Sequence, residues 1–215
     1  MRYLHLIIAG LHPQDAPGDA ALPKPLPALR ALLARGRRRP GDFDLSPAQR
    51  LARFIDPGLN DLALAPLRMA HDGLSVEGTG WYCADPVHLR LMRDHILLGD
   101  AHAFELDKQE ATALLAGLND YFRGQIEFRA ATPTRWYARF ATPPEARPEP
   151  LDAHIGRPVD PGAATTDAAR ALAHLGNEAQ IYLHQHPVNA EREARGDDPI
   201  NGLWFWGHGS LTAPM

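Results

Sequence analysis

The sequence has a single cysteine in 215 residues. That excludes an intrachain disulfide and any metal centre built from several cysteines. Cys83 lies between Tyr82 and Ala84 in an apolar run, which reads as a small buried hydrophobe rather than a nucleophile. Long apolar runs are also missing. None approaches the roughly 18 residues of a membrane span, so no membrane partner is expected and the cytoplasm is the expected location. Lysine is nearly absent: Lys24 and Lys108 are the only two, and arginine carries the rest of the positive charge. With a formal net charge of -4, the chain lacks the basic excess of a general nucleic-acid binder.

What is present is ordinary in amount. A hydrophobic content of 45% and a charged content of 22% fit a globular protein with a sizeable core. The length suits one large domain or a domain with an inserted lobe. Tyr3 to Leu11 is a nearly continuous apolar run, expected as a strand buried on both faces. Leu26 to Arg35 is expected as a helix, with Leu29, Leu32 and Leu33 on one face and Gly36 as its stop. Arg37, Arg38 and Arg39 read as a solvated loop. Ser46, Pro47 and Gln49 mark the start of a helix that carries Leu51, Phe54 and Ile55 and ends before Pro57.

Leu62 to Ala70 is expected as a strand, confined to an edge by Pro66. Gly80 to Ala84 is a second strand, turned by Asp85-Pro86, with a short helix following through Leu89 and Met92. Asp107 and Glu110 form a capping-box signature ahead of a helix over about Lys108 to Phe122, ended by Gly124. Gln125 to Ala130 and Arg135 to Phe140 form a hairpin. Ala141 to Pro161, rich in proline, reads as a long excursion or hinge. Asp167 is expected to cap a helix carrying Ala168, Leu172, Leu175, Ala179 and Tyr182 inward.

The stretch from Asn177 to Gly209 concentrates polar groups at its joints. A helix ends near His186, and a second begins with Pro187 and closes at Gly196. Asn189 and Arg192, three apart, share a face. The free N–H groups at such a helix start suit an anion, and an arginine gives phosphate or carboxylate a bidentate contact. His186, Asn189, Arg192 and Asn201 are therefore the candidate ligand-binding residues. Equally, Asn189 and Arg192 could simply tie the helix to the following loop. Asp85 and His88, joined by Arg93, form a secondary candidate group, because a carboxylate beside an imidazole can do acid/base work. His184 and His186 are spaced poorly for a shared metal, and His174 with Glu178 matches a common solvated pair. No metal, cofactor or catalytic residue is assigned. Trp204 and Trp206 alternate, so both fall on one side of a strand. A lone Gly207-His208-Gly209 is weak evidence of a ligand loop.

HPVNAEREARGDDPINGLWFWGHG resembles the region of the archaeal-type, cofactor-independent phosphoglycerate mutases in which a VN..R...G..PAN segment leads into a strand and glycine loop. IIAGL followed by LPALRALLARG resembles the opening strand and TPNLDxLAxxG helix of their alkaline-phosphatase-like superfamily. Over most of its length the chain also resembles a group of bacterial phosphoglycerate-mutase-like, RpfE-type regulatory proteins. The resemblance implies an α/β fold. A reduced core sheet would come from both chain ends, residues 1–60 and 162–215, with an inserted α+β lobe and hinge over 61–161. The opening strand and the Leu203 to Trp206 strand would be parallel neighbours.

The departures concern chemistry. In the family the opening strand ends in a metal-binding Asp before Gly, whereas here Ala9 precedes Gly10. Leu26, Ala28 and Arg30 replace the Thr, Asn and Asp of the helix motif. The family's later Asp and His ligands would lie beyond Met215. Two-metal phosphoryl transfer needs ions that clamp both oxygens. The expectation is a non-catalytic regulatory or ligand-binding protein. It would take a small phosphorylated or carboxylated metabolite, metal-free, near Asn189, Arg192 and Asn201. One alternative is a phosphoester hydrolase or phosphomutase with a site rebuilt from the histidines and Asp85. Another is a protein-interaction module with a protein partner.

Overall fold

The computed structural model of the chain describes residues 62–93, 95–100, 104–155, 158–159 and 164–209, together with Pro27, Ala31, Ala34, Arg35 and Ala52. The chain divides into two compact units, Met1–Asp61 and Leu62–Met215. In the first, the five described residues are helical. Four of them fall within the helix expected over Leu26 to Arg35. The expected opening strand, Ala9 and the Ser46 cap lie outside the described residues.

The second unit is a mixed α/β domain on a six-stranded sheet. Its elements run α1 (Leu64–His71), β1 (Trp81–Leu91), β2 (Ile96–Gly99), α2 (Lys108–Tyr121), β3 (Ile126–Thr132), β4 (Arg135–Phe140), a short 3-10 turn (Leu151–Ala153), β5 (Pro158–Val159), α3 (Asp167–His184), α4 (Pro187–Arg195) and β6 (Gly202–Gly209). The strand order is β3-β4-β1-β2-β5, with β6 also paired to β1. Every pairing described is antiparallel. No helix among the described residues is long and apolar enough to cross a membrane.

Alternation along β1 sends its side chains to two different layers. Tyr82 and Ala84 join the larger core, where Leu114 and Leu118 of α2 and Leu172, Ala179 and Leu183 of α3 meet Trp136, Phe140 and Phe205. Trp81 and Cys83 face the other way and pack with Ala65 and Met69 of α1 and with Tyr137. Helix α2 starts where its capping box predicts. Asp107 accepts the Glu110 N–H at 2.8 Å, and Glu110 accepts the Asp107 N–H at 3.3 Å. The β3–β4 hairpin likewise lies where the sequence places it.

Four expectations need correction. Leu62 to Ala70 is not an edge strand but helix α1. Pro66 sits in its first turn, where N–H groups have no partner within the helix, so proline costs nothing there. Asp85-Pro86 does not turn the chain, because β1 continues to Leu91. On β1, pairing with β4 ends at Cys83 and pairing with β2 begins at His88. Pro86 lies between the two, in a position that tolerates its missing N–H. The short helix through Leu89 and Met92 is replaced by the β1–β2 hairpin. Helix α3 is capped by Thr166, which accepts the Ala169 N–H at 3.1 Å, rather than by Asp167.

Candidate functional site

The joint between α3, α4 and β6 contains the four residues singled out by sequence. His186 caps α4, its Nδ1 accepting the Val188 N–H at 3.3 Å. The ring also hydrogen-bonds the Ala113 backbone of α2, and burial pulls its pKa below the usual histidine value. Pro187 takes the first helical position and Gly196 closes the helix in the left-handed region, at φ 84°. Asn189 is 1% exposed. Its amide nitrogen donates to the carbonyls of Leu183 and Ile200, both at 2.8 Å, and its oxygen accepts the Ile200 N–H at 2.8 Å. One side chain thus ties the end of α3 to the segment entering β6.

Arg192 is equally committed. Its Nε donates to the Asp198 carbonyl at 2.9 Å, and its terminal nitrogens donate to Glu110 Oε2 at 2.6 Å and to the Glu105 carbonyl at 2.7 Å. Glu110 also accepts from Arg195 at 2.6 Å, so a single carboxylate caps α2 and anchors α4. Asn201 imitates a strand residue. Its side chain accepts the Leu89 N–H at 2.6 Å and donates to the Leu89 carbonyl at 2.9 Å. The four residues gather at one joint, and their polar atoms are spent on holding it. The part played by Glu110 was not foreseen: its capping signature is local, whereas its arginine partners lie more than eighty residues away.

Asp85 and His88 do not converge. Three apart on a strand, they point to opposite faces. Asp85 is paired with Arg68 of α1, and its Oδ2 accepts from Trp206 Nε1 at 2.8 Å. Arg68 Nε also donates to the Tyr137 hydroxyl at 2.9 Å, and that hydroxyl donates to Asp72. Asp72 is bridged in turn by Arg135 at 2.9 Å. This network binds α1 to the sheet, and reading α1 as a strand hid Arg68 and Asp72 from the sequence. His88 Nδ1 lies 2.8 Å from the Pro199 carbonyl, with Asp198 3.6 Å from its other nitrogen. Burial pushes the Cys83 thiol well above the range in which it would ionise. Among the described residues, no three His, Cys, Asp or Glu side chains are grouped to hold a metal.

The far end of β6 is built differently. Trp81 pairs with Gly209 and Cys83 with Trp206, so β6 carries one extra residue opposite Tyr82. Gly207, at φ 69°, forms this bulge. His208 lies flat on Tyr82, with ring centroids 4.5 Å apart and 20° between planes. Its Nδ1 is buried without a hydrogen-bond partner, the one such side-chain atom among the described residues. Burial first, and then the charge of Arg147, lower its pKa, while Glu145 opposes them.

No protein-family model matches the chain. A 2,3-bisphosphoglycerate-independent phosphoglycerate mutase of Methanosarcina mazei is 26% identical over 206 residues, covering 85% of this chain and 48% of that protein. One from Methanothrix thermoacetophila is 34% identical over 55 residues, 26% of this chain and 14% of that protein. A probable one from Geobacter sulfurreducens is 40% identical over 43 residues, 20% of this chain and 11% of that protein. The chain is a distant relative of the cofactor-independent phosphoglycerate mutases. It spans about half the length of the Methanosarcina mutase. Among solved structures, the cofactor-independent mutase of Thermoplasma acidophilum aligns at TM-score 0.46 and 19% identity, covering 66% of this chain and 40% of that one. In the stretch that resembles the mutase motif, Asn189, Arg192, Gly196 and Asn201 serve here as two ties, a helix stop and a strand extension.

Proposed function

We propose that this chain is a regulatory or ligand-binding protein on a mutase-derived scaffold, which binds a small phosphorylated or carboxylated metabolite without turning it over. One observation carries this reading. The mutase-like residues that the chain keeps are occupied in holding α3, α4 and β6 together, while Ala9 stands where the resemblance puts a metal-binding Asp. Folding alone accounts for the retained motif, so its presence does not argue for mutase chemistry. A methyl group cannot ligate the metal that two-metal phosphoryl transfer uses to clamp its oxygens. In this reading His186, Asn189, Arg192 and Asn201 hold the frame, and the ligand contacts lie elsewhere.

The test uses 3-phosphoglycerate as probe, with and without Mn²⁺ or Mg²⁺. The expected result is a rise in melting temperature without metal and no product under any condition. A ligand at about 100 times its dissociation constant adds roughly 2.7 kcal/mol of stability, well within reach of a melting curve. Turnover that depends on added metal overturns the proposal and revives the rebuilt-enzyme reading.

A further inference from the structure

Three irregularities meet at the end of β6. The first is the bulge. Phe205 lies in the larger core and Trp206 on the α1 side, so strict alternation would send His208 to the side of Trp206. The extra residue at Gly207 reverses this and delivers the imidazole onto Tyr82. Bulges re-aim side chains in this way and recur beside functional sites. Only glycine suits the position: φ is 69°, and a Cβ there would come within 3.1 Å of Leu64 and 3.2 Å of the Ala65 nitrogen.

The second irregularity is the orphaned Nδ1 of His208. A phenylalanine would stack on Tyr82 equally well without burying an unmet polar atom, so packing alone gives no reason for histidine here. The third is the strap tied to the hydroxyl of the tyrosine on which His208 stacks. The Tyr82 hydroxyl donates to the Ala146 carbonyl at 3.0 Å. On either side of Ala146 lie Glu145 and Arg147, and both act on the His208 ring electrostatically. Glu145 has φ 53°, the one non-glycine residue in the left-handed region among the described residues. Strained backbone of this kind collects at ligand clamps and switch segments.

We propose that His208, Tyr82 and the strap Glu145–Arg147 form a binding site for a small oxyanion of phosphate or carboxylate type, which receives a hydrogen bond from Nδ1 of His208. The inference rests on the functional reading above and gives that reading a place in the fold. The class of the ligand comes from that reading, and the unmet Nδ1 is the polar atom that would meet it. Arg147 has protein contacts of its own and supplies field rather than a vacant donor. An anion beside the imidazole favours its protonated form. Binding is therefore linked to proton uptake by His208, which supplies the N–H that the ligand accepts.

The experiment follows the imidazole nitrogens of ¹⁵N-histidine-labelled protein as 3-phosphoglycerate is added, with sulfate and acetate as separate probes. Loss of a signal in His208→Phe assigns the ring. Three results are expected. Nδ1 of His208 changes from bare to protonated, the proton affinity of the ring rises at least tenfold, and the thermal response to 3-phosphoglycerate disappears in His208→Phe. Sulfate and acetate tell which end of the metabolite the ring reads, and a ring response to either supports the site. If 3-phosphoglycerate raises the melting temperature but leaves the His208 ring unmoved, this site is wrong while the functional proposal stands. If neither responds, both fall. Should His208→Phe fail to fold, the ring titration of the unaltered protein decides alone, with His208 assigned by elimination from single His→Gln variants at the other histidines.

Discussion

The two ends of β6 treat buried polar groups in opposite ways. At its entry, Asn189 engages both atoms of its amide, Arg192 uses all three of its nitrogens, and Asn201 takes both backbone groups of Leu89. At its exit, a bulge turns His208 inward and leaves Nδ1 without a partner. An unmet buried polar group costs more than a met one gains. The entry is therefore optimised for folding, and the exit carries a cost that folding does not explain. The difference separates polar groups whose hydrogen bonds the fold accounts for from one that it leaves unmet.

The sharpest way to break the comparison is Arg192→Ala. Arg192 is 2% exposed and its partner Glu110 13%. Removing Arg192 leaves Glu110 with only the half-exposed Arg195 as its cation, and breaking a buried pair costs up to about 3–5 kcal/mol. The Asp198 and Glu105 carbonyls lose their donor as well. Urea unfolding should show a much lower midpoint at an unchanged slope. A loss below about 1 kcal/mol would mean that the joint does not depend on its arginine, contrary to the energetics of such pairs.

Asn189→Leu tests the same joint by a smaller step. The volume is nearly kept, but the Ile200 carbonyl and N–H lose their side-chain partner in a buried place, and the Leu183 carbonyl is left with the His186 N–H alone. About 2 kcal/mol should be lost in the same unfolding measurement. If Asn189→Leu is neutral, water reaches these groups and the joint is looser than its hydrogen bonds imply.

How much of this was legible in the sequence depends on how far each signal travels along the chain. The capping box at Asp107 and Glu110, the Pro187 start and the Gly196 stop are local, and each lies where sequence reasoning puts it. Asn189 and Arg192 were correctly placed on one helix, but Arg192 finds Glu110 eighty-two residues upstream, beyond any local pattern. Pro66 and Pro86 misled for a shared reason. Proline reports a missing N–H, and whether that matters depends on what lies opposite: the free first turn of α1 in one case, a gap in strand pairing in the other. The bulge was invisible because it exists only relative to β1, more than a hundred residues earlier.

His208→Phe probes the other side of the comparison. It keeps an aromatic ring on Tyr82 and removes the orphaned nitrogen, so it should raise stability in the absence of ligand by about 1 kcal/mol. The entry loses stability when a polar group is deleted, whereas the exit should gain it. A loss in His208→Phe would show that Nδ1 has a stabilising partner after all, and the contrast between the two ends would disappear.

The smallest effect is a slope with pH, and it distinguishes the two histidines at the opposite ends of β6. Burial lowers the pKa of both His186 and His208 in the folded chain, below the ordinary value of about 6.5. Above that value both rings are neutral whether the chain is folded or not, and neither contributes a slope. As the pH falls through it, the unfolded chain binds protons that the folded chain resists, so stability declines. The decline stops once the pH passes the lowered folded value and both states are protonated. Urea unfolding at a series of pH values below about 7 should therefore show stability falling with acid. His208→Phe should flatten part of that fall and leave the rest to His186, whose Nδ1 must stay unprotonated to accept the Val188 N–H. Saturation with 3-phosphoglycerate should flatten the same part in the unaltered protein, because an anion beside His208 removes the folded chain's resistance to the proton. An acid limb equally steep with and without the imidazole of His208 would show that the ring is not held neutral, and that the exit of β6 is as settled as its entry.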